Sequence, residues 1–273
     1  LQTLSIPPPC TPETVLALDL PGIAVLDARR HRHKLRTGHL RGNRFVLRLR
    51  EMDVDAERGA AMASAILDRL AAAPGMPNWF GPQRFGRDGN NAEIGRALLT
   101  GDPLPDGMRR PRGRALRLFV SALQSELFNE YLKQRLSDGI LATVLAGDLL
   151  QKTESGGLFA SDDPATDQPR LAAGEVVPTG PMFGHKARQP SEGSAAHERE
   201  SSLLAEYGLT TRSFARMGKL GIGTRRALAV RVHNATANPL AERAIELSFD
   251  LPAGSYATAV MREVVKGANP FPG

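Results

Sequence analysis

Apolar residues recur at helical spacing in two stretches of the chain. In the first stretch they share one face of a helix and are Ala60, Ala63, Ile66, Leu67 and Leu70. Asp53 or Asp55 precedes this face as a side chain able to cap a helix N-terminus, and Pro74-Gly75 follows it as a terminator. We therefore predict a helix from that cap to about Ala73.

The second helical stretch has a wider apolar face. The members of this face are Leu116, Phe119, Val120, Leu123, Leu127, Phe128, Tyr131 and Leu132. Polar residues fall elsewhere on the helix and include Arg117, Gln124, Asn129 and Lys133. The pattern predicts a long amphipathic helix that packs its apolar face against a core.

Alternation with a period of two predicts strands near both ends of the chain. Between Arg44 and Arg50 the alternation is loose, but Phe45, Leu47 and Leu49 share one parity and Arg44, Arg48 and Arg50 share the other, which is typical of a half-buried strand with a cationic outer face. Alternation also predicts strands at Arg226 to Val232 and at Ile245 to Phe249, and Leu1 to Ile6 has strand character. Ser161 to Glu200 holds five prolines and few large apolar residues, so we predict a loop there rather than core.

These elements make the chain β-rich at both ends and helical in the middle. Such an order suits an α+β core that is formed from distant segments and carries a helical insertion. We place the boundaries near residues 104 and 230, so that the core comprises 1–103 and 231–273 and the insertion comprises 104–230.

Basic residues dominate the charge of the chain and concentrate near its N-terminus. The formal net charge is +6, the pI is about 9.9, and only six of the 35 basic residues are lysines. Nine cations lie between residues 29 and 50 with no carboxylate among them: Arg29, Arg30, Arg32, Lys34, Arg36, Arg41, Arg44, Arg48 and Arg50. A solvated strand face and a surface that binds a polyanion both account for this run.

Cysteine usage and hydropathy exclude several classes of protein. Cys10 is the single cysteine, so the chain cannot form an internal disulfide or a zinc site of the usual paired spacing. His185, His197 and His233 also lack metal-ligand spacing. No stretch approaches the roughly 20 apolar residues of a membrane span, and no signal peptide opens the chain. We expect a soluble, cytoplasmic protein that binds no metal.

An aromatic cluster lies at Asn78 to Gly86, which reads Asn-Trp-Phe-Gly-Pro-Gln-Arg-Phe-Gly in a chain that is only 5% aromatic. Gly81-Pro82 favours a turn that displays these rings from a fixed loop. Rings beside an amide and an arginine suit the stacking and hydrogen bonding of an unpaired base. Composition alone equally allows Trp79 and Phe85 to fill the core.

Four ordered segments carry a resemblance to a known family. Asn78–Gly86 resembles the Asn-Tyr-Phe-Gly-x-Gln-Arg-Phe-Gly signature of the TruD family of tRNA pseudouridine synthases, with Trp79 in place of Tyr. His39–Phe45 resembles its Leu-x-Gly-Asn-x-Phe segment, and Ser121–Asn129 its Ser-Ala-x-x-Ser-x-x-Phe-Asn helix. Leu251–Thr258, followed by Arg262-Glu263, resembles its closing Pro-x-Gly-Ser-Tyr/Phe-Ala-Thr segment.

The resemblance implies a fold, a reaction and a set of binding residues. It implies a pseudouridine synthase-type core, with a mixed, mainly antiparallel sheet, and a TruD-type inserted domain. The expected activity is the isomerisation of a uridine in tRNA to pseudouridine, without cofactor or metal. Asn78, Phe80 and Tyr256 are expected to hold the flipped uracil, since a flipped base needs a ring to stack on and polar groups at its edge.

The family's catalytic residue has no counterpart in this chain. That Asp lies in a Gly-x-Lys-Asp motif, which is expected upstream of Leu1 and does not occur in these 273 residues. Asp88 and the pair Asp162-Asp163 are the carboxylates that could substitute, but their sequence contexts indicate surface turns. We therefore expect the chain as given to be inactive, with residues missing upstream of Leu1.

Substrate tRNA is expected to lie across a cleft between core and insertion. Its phosphates would contact residues of the Arg29 to Arg50 segment and also Arg109, Arg110, Arg112 and Arg114. We define the first part of that segment, Arg29, Arg30, Arg32, Lys34 and Arg36, as the basic segment. Two alternatives remain: an RNA-binding protein without catalysis, and an enzyme that acts on a small phosphorylated substrate. The sequence leaves open which uridine is modified and whether the chain forms oligomers.

Overall fold

A computed structural model describes residues 3–35 and 42–266. The helices are α1 (Pro12–Leu16), α2 (Ala56–Ala71), α3 (Asn91–Thr100), α4 (Gly113–Ser137), α5 (Pro164–Ala172), α6 (Ala195–Glu206) and α7 (Ala257–Val265). The strands are β1 (Gly42–Leu49), β2 (Met76–Pro77), β3 (Leu149–Lys152), β4 (Leu158–Ala160), β5 (Val176–Met182), β6 (Thr224–Ala227), β7 (Ala229–Val230), β8 (His233–Ala241) and β9 (Ala244–Pro252). Two 3₁₀ segments lie at Pro82–Arg84 and Thr211–Gly221.

The first sheet joins the two ends of the chain. Its strand order is β1-β9-β8, and β1 pairs antiparallel with β9 so that Phe45 lies opposite Phe249. Apolar side chains of this sheet pack against α2 and α7. Within residues 3–35 and 42–266 every strand pairing is antiparallel. The expected α+β class, with a sheet formed from distant segments, is confirmed.

Both predicted helices form. Asp55 caps α2, and its Oδ1 accepts a hydrogen bond from the Arg58 backbone N–H at 2.8 Å. The predicted apolar face of α4 lies in the core, but two residues placed off that face also have interior partners. Buried Gln124 donates to the Phe183 carbonyl at 2.7 Å, and half-buried Asn129 binds the backbone of Phe80. Carbonyls and N–H groups of neighbouring loops supply the partners that polar side chains need when buried.

The second sheet overturns the prediction of a loop at Ser161 to Glu200. Its strand order is β4-β3-β5-β6, and β5 is buried along its whole length beneath α4. The prediction of a loop is wrong because Pro178 and Pro181 lie within a buried strand. Proline cannot donate to a strand ladder, but β5 changes partner after Pro178, from β3 to β6, and tolerates proline at that change.

The strand predicted at Arg226 to Val232 is divided between two sheets. Its first part lies in β6, beside β5, whereas β7 pairs with β2. Buried Leu228 lies between the two strands and donates its N–H to the Pro178 carbonyl at 2.9 Å. The strand expected at Leu1 to Ile6 is wrong for Thr3 to Ile6, which are irregular, and its first two residues lie outside the described ranges.

A buried ion pair closes the loop that follows α4. Arg135 and Asp148 are 0% and 1% exposed, and Nη1 of Arg135 lies 2.9 Å from Oδ1 of Asp148. Nη2 of Arg135 also donates to the Thr143 carbonyl at 2.6 Å, and the Leu145 N–H donates to Asp148 at 2.8 Å. The loop is therefore anchored to the helix by charged groups that have no contact with water.

None of the helices in the described ranges is both long enough and apolar enough for a bilayer crossing.

Candidate functional site

The aromatic segment Asn78–Gly86 follows strand β2 and is fixed by neighbours on both sides. The Asn78 N–H donates to the Leu228 carbonyl at 2.9 Å, so the segment starts in register with β7. Gly86 has φ +87°, and a Cβ there would lie 2.7 Å from the Asn91 amide. The glycine of the motif is therefore required both by the backbone conformation and by the close approach of Asn91.

Phe80 lies where three distant segments meet. Its backbone N–H and C=O bond the side chain of Asn129 at 2.9 and 3.0 Å, which ties the segment to α4. Its ring packs edge-on against Phe128 at 5.6 Å and against Tyr256 at 5.9 Å between centroids. Trp79 also packs against the core around α4, which supports a packing role for this ring.

Tyr256 comes from the other end of the sequence and is brought to Phe80 by strand β9. The strand ends at Pro252, Gly254 turns the chain with φ +84°, and Tyr256 stands at the N-cap position of α7. Its ring is half-buried. The structure therefore brings Tyr256 to the segment of Asn78 and Phe80, from which it is more than 170 positions away in the sequence.

Arg226 links these loops and was not identified from the sequence. Its Nη2 donates to the Asn78 side-chain Oδ1 at 2.6 Å and to the Asn78 carbonyl at 3.1 Å, and its Nη1 donates to the Gly254 carbonyl at 2.9 Å. Its guanidinium carbon lies 4.1 Å from the centroid of the Phe80 ring. The local sequence carries no signal for this role, because β6 reads Thr-Arg-Arg-Ala and Arg226 is one of two adjacent arginines in it.

The Asn78 amide is almost enclosed, with 4% of the residue exposed. Its Nδ2 donates to the Ala227 carbonyl at 2.9 Å, while its Oδ1 accepts from Arg226. Burial lowers the pKa of Arg226 to about 10, so the guanidinium stays charged at neutral pH. Both ends of the amide are thus held by strand β6.

A cavity of about 700 Å³ opens beside this cluster. Asn78, Phe80 and Arg226 line it together with the turn of the β3–β4 hairpin, which contributes Gln151, Lys152, Thr153, Glu154 and Gly156. Tyr256 packs against Phe80 but does not line the cavity. The volume is within the range of small-ligand pockets. Lys152, Arg231 and His233 also line it, and Glu154 is the only carboxylate among the described lining residues.

No group of three or more His, Cys, Asp and Glu side chains that could hold a metal is present among the residues the structure describes. Asp88 and Asp162 lie exposed in turns or bends, as the sequence contexts indicated. Asp163 caps α5 by accepting from the Ala165 N–H at 3.0 Å. These carboxylates therefore have ordinary local roles outside the cavity.

The basic segment is exposed and irregular as far as the structure describes it. Arg29, Arg30, Arg32 and Lys34 face solvent, while Arg36 lies outside the described residues. Arg29 pairs with Asp27 at 2.8 Å, with both side chains largely exposed. An exposed pair of this kind contributes little to stability and can exchange its partner for a phosphate.

The outer face of β1 is less cationic than predicted. Arg44 holds Asp250 of β9 through two hydrogen bonds of 2.8 and 3.1 Å, which lower the pKa of Asp250 to about 2. Arg48 pairs with Glu246 at 3.0 Å. The acids lie about 200 positions away along the chain, so the charge balance across the strands was not visible in the local sequence.

Comparison with known proteins gives a family match over nearly the whole chain. The family described as tRNA pseudouridine synthase D (TruD) matches residues 1–104 and 108–264. A tRNA pseudouridine synthase D from Anaeromyxobacter sp. (strain Fw109-5) is 50% identical over 272 residues, which cover 99% of this chain and 74% of the relative. The protein of the same name from Geobacter metallireducens is 38% identical, and the alignment covers 98% of this chain and 79% of the relative.

A solved structure shows the same fold. A crystal structure from Methanosarcina mazei, described as tRNA pseudouridine synthase D (TruD), superposes with a TM-score of 0.73 at 23% identity. The superposition covers 96% of this chain and 77% of the other.

Proposed function

We propose a function for this chain from the premise that it belongs to the TruD family of tRNA pseudouridine synthases, as the match over residues 1–104 and 108–264 shows. The function is the isomerisation of a uridine in tRNA to pseudouridine. The observation that carries it is the convergence of Asn78, Phe80 and Tyr256, from two distant motifs, beside one cavity.

The reaction defines what the cavity has to do. The N1–C1′ glycosidic bond breaks, the base turns while it is held, and a C5–C1′ bond forms. The proton of C5 leaves and N1 gains one, so the product is an isomer of the substrate. A ring to stack on and polar groups at the base edge hold the uracil during this rotation. We assign these roles to Phe80, supported by Tyr256, and to Asn78.

We propose that tRNA lies in the cleft between the core, 1–103 and 231–273, and the insertion, 104–230. Support comes from the cavity, whose lining includes Asn78 from the first part and the turn of the β3–β4 hairpin from the second. The basic segment and Arg109, Arg110, Arg112 and Arg114 would meet phosphates on either side. A cytoplasmic location stays a prediction.

RNA binding without catalysis is the second candidate, favoured by one observation. A Gly-x-Lys-Asp motif does not occur in the 273 residues, and the described lining of the cavity holds only the exposed carboxylate of Glu154. Tritium release from tRNA labelled at C5 of uridine separates the two candidates, because isomerisation must expel the hydrogen at C5. Binding to uridine monophosphate with the same affinity as to tRNA would instead favour an enzyme for small phosphorylated substrates.

The affinity for tRNA is expected to depend on salt through the basic segment. Each neutralised phosphate contributes about 0.7 to 0.9 to the log–log slope of affinity against salt. Replacing Arg30, Arg32 and Lys34 together by Gln should therefore lower the slope by about 2, as measured by filter binding between 50 and 300 mM salt. The matched control replaces Lys133, Arg199 and Lys266 by Gln, which removes equal charge at sites paired with acids. Equal log–log slopes in the two triple variants would show that the basic segment does not contact the phosphates of tRNA.

Phe80 is expected to stack on the flipped uridine, so removing its ring should weaken the binding of tRNA. Base–aromatic stacking is worth about 1 to 3 kcal/mol per base, so Phe80→Ala should weaken tRNA binding by roughly 5- to 150-fold. Tyr256→Ala acts through the Phe80 ring that it supports and should have the same direction. Phe159→Ala is the control, because this ring packs in a separate cluster with Val144 and Leu171. A loss of melting temperature in Phe80→Ala without a loss of affinity would contradict the stacking role.

A further inference from the structure

We propose that Arg226 is a positioning residue that orients the Asn78 amide, so that the cavity accepts uracil and rejects cytosine. This inference rests on the proposed function, in which the cavity holds a flipped pyrimidine. It adds a residue and a role that none of the sequence motifs contains.

The orientation of a side-chain amide is decided by its partners. A guanidinium can only donate hydrogen bonds and a backbone carbonyl can only accept them. Arg226 meets one end of the Asn78 amide at 2.6 Å and the Ala227 carbonyl meets the other end at 2.9 Å. The end facing Arg226 must therefore be Oδ1, and the end facing Ala227 must be Nδ2. The reversed amide would place donor against donor and acceptor against acceptor.

The amide keeps hydrogen-bonding capacity for a ligand. Nδ2 carries a second N–H, and Oδ1 has a second lone pair. The residue is 4% exposed and lines the cavity, so we place the ligand partner of these groups in the cavity.

Uracil and cytosine differ in what they offer to such a fixed amide. Uracil presents the N3–H donor beside the O4 acceptor, whereas cytosine presents the N3 acceptor beside the N4 amino donor. An amide in the orientation fixed by Arg226 and Ala227 offers a donor and an acceptor in fixed places. If uracil meets them with both bonds made, cytosine in the same pose leaves both unmade, and unmade bonds in an enclosed site are costly.

Hydrogen bonds to the pocket loops fix the guanidinium of Arg226 beside Asn78. No ion pair involves it among the residues that the structure describes, and its hydrogen bonds go to Asn78 and to the Gly254 carbonyl. The preceding Arg225 is also buried but pairs with Glu200 of α6, at 2.7 Å. Successive residues of a strand face opposite sides, so one arginine secures the insertion and the other reaches the pocket loops.

The test measures a ratio of affinities rather than affinity alone. The probes are two nine-nucleotide RNAs of adenosines with one central uridine or one central cytidine, and binding is followed by fluorescence anisotropy. For the unmodified chain we expect about tenfold preference for the uridine probe. Arg226→Met, which keeps the aliphatic stem, should lower this preference about five- to tenfold, because the amide is then no longer held in one orientation. Arg226→Lys should retain part of it, since an ammonium can still donate to Oδ1.

A second variant tests the same inference without changing Arg226, so the test does not depend on whether Arg226→Met folds. Asn78→Asp removes the donor end of the amide while Arg226 stays in place, and it should abolish or reverse the preference for uridine. Phe159→Ala is the matched control: its ring packs in a separate cluster with Val144 and Leu171, so both affinities and their ratio should be unchanged.

Three results would overturn the inference: equal binding of both probes by the unmodified chain, an unchanged ratio in Arg226→Met, or an unchanged ratio in Asn78→Asp. A purely structural Arg226 would give the second of these, with both affinities falling together. Failure of the proposed function would be seen separately, as tRNA binding no tighter than that of uridine monophosphate.

Discussion

The 273-residue chain is expected to bind tRNA without releasing tritium from C5 of its uridines. In contrast, a chain extended upstream by a segment that carries the family's Gly-x-Lys-Asp motif should release it. In the proposed function the cavity holds and orients a base, and the family resemblance implies that breaking the glycosidic bond needs the carboxylate of that motif, which the 273 residues do not contain. Removing such a reacting group lowers turnover by more than about a thousandfold.

The control for this prediction is the extended chain with Asp→Asn in the added motif, which keeps length and shape and should bind tRNA with unchanged affinity but release no tritium. Pseudouridine made by the 273-residue chain itself would contradict the prediction. In that case Glu154→Gln would be the first variant to measure, because Glu154 is the one carboxylate that the described lining of the cavity provides.

We expect the second large effect on the free energy of unfolding, when the buried ion pair between Arg135 and Asp148 is broken. Removing one partner of a buried ion pair leaves the other charge without a counter-ion or water, which costs about 3 to 5 kcal/mol. We therefore expect Asp148→Asn and Arg135→Met each to lower the free energy of unfolding by that amount in urea titrations. Nearby Tyr131 is equally enclosed, and burial raises its pKa to about 12, so it offers no compensating charge at neutral pH.

A double variant tests the cause of that loss. Arg135→Met combined with Asp148→Leu removes both charges, so neither is left unpaired, and the double variant should be more stable than Asp148→Leu alone. The exposed pair Lys133 and Glu130 is the matched control, since Lys133→Met should change stability by less than about 1 kcal/mol. Additive losses in the double variant would contradict the ion-pair explanation.

Local patterns in the sequence were sufficient to predict helices α2 and α4. Each of α2 and α4 carries its own signals, an apolar face with helical spacing and, for α2, the Asp55 cap followed by Pro74-Gly75. These signals act within a few residues of one another, so the sequence contains all of the information. The same holds for the alternation in β1 and β9, whose apolar faces both point into the core.

Strand β5 shows where local patterns mislead. Pro178 and Pro181 indicate a loop when read alone. The change of partner from β3 to β6 explains why the buried strand tolerates Pro178, whereas Pro181 lies within the pairing with β6, opposite Arg225. The charge on β1 is a similar case, because Asp250 and Glu246 reach Arg44 and Arg48 only after β1 and β9 have paired.

For the candidate site, the sequence by itself determined the resemblance to the TruD family, and through it the expectation that Asn78, Phe80 and Tyr256 bind the base. The tertiary structure decided how they meet. Arg226 and Asn129 hold the pocket loops from strand β6 and helix α4, and neither lies in the same motif as the residues it holds. Stacking and hydrogen bonding act over a few ångströms, so the partners of a buried ring or amide are fixed by packing between segments far apart in the chain.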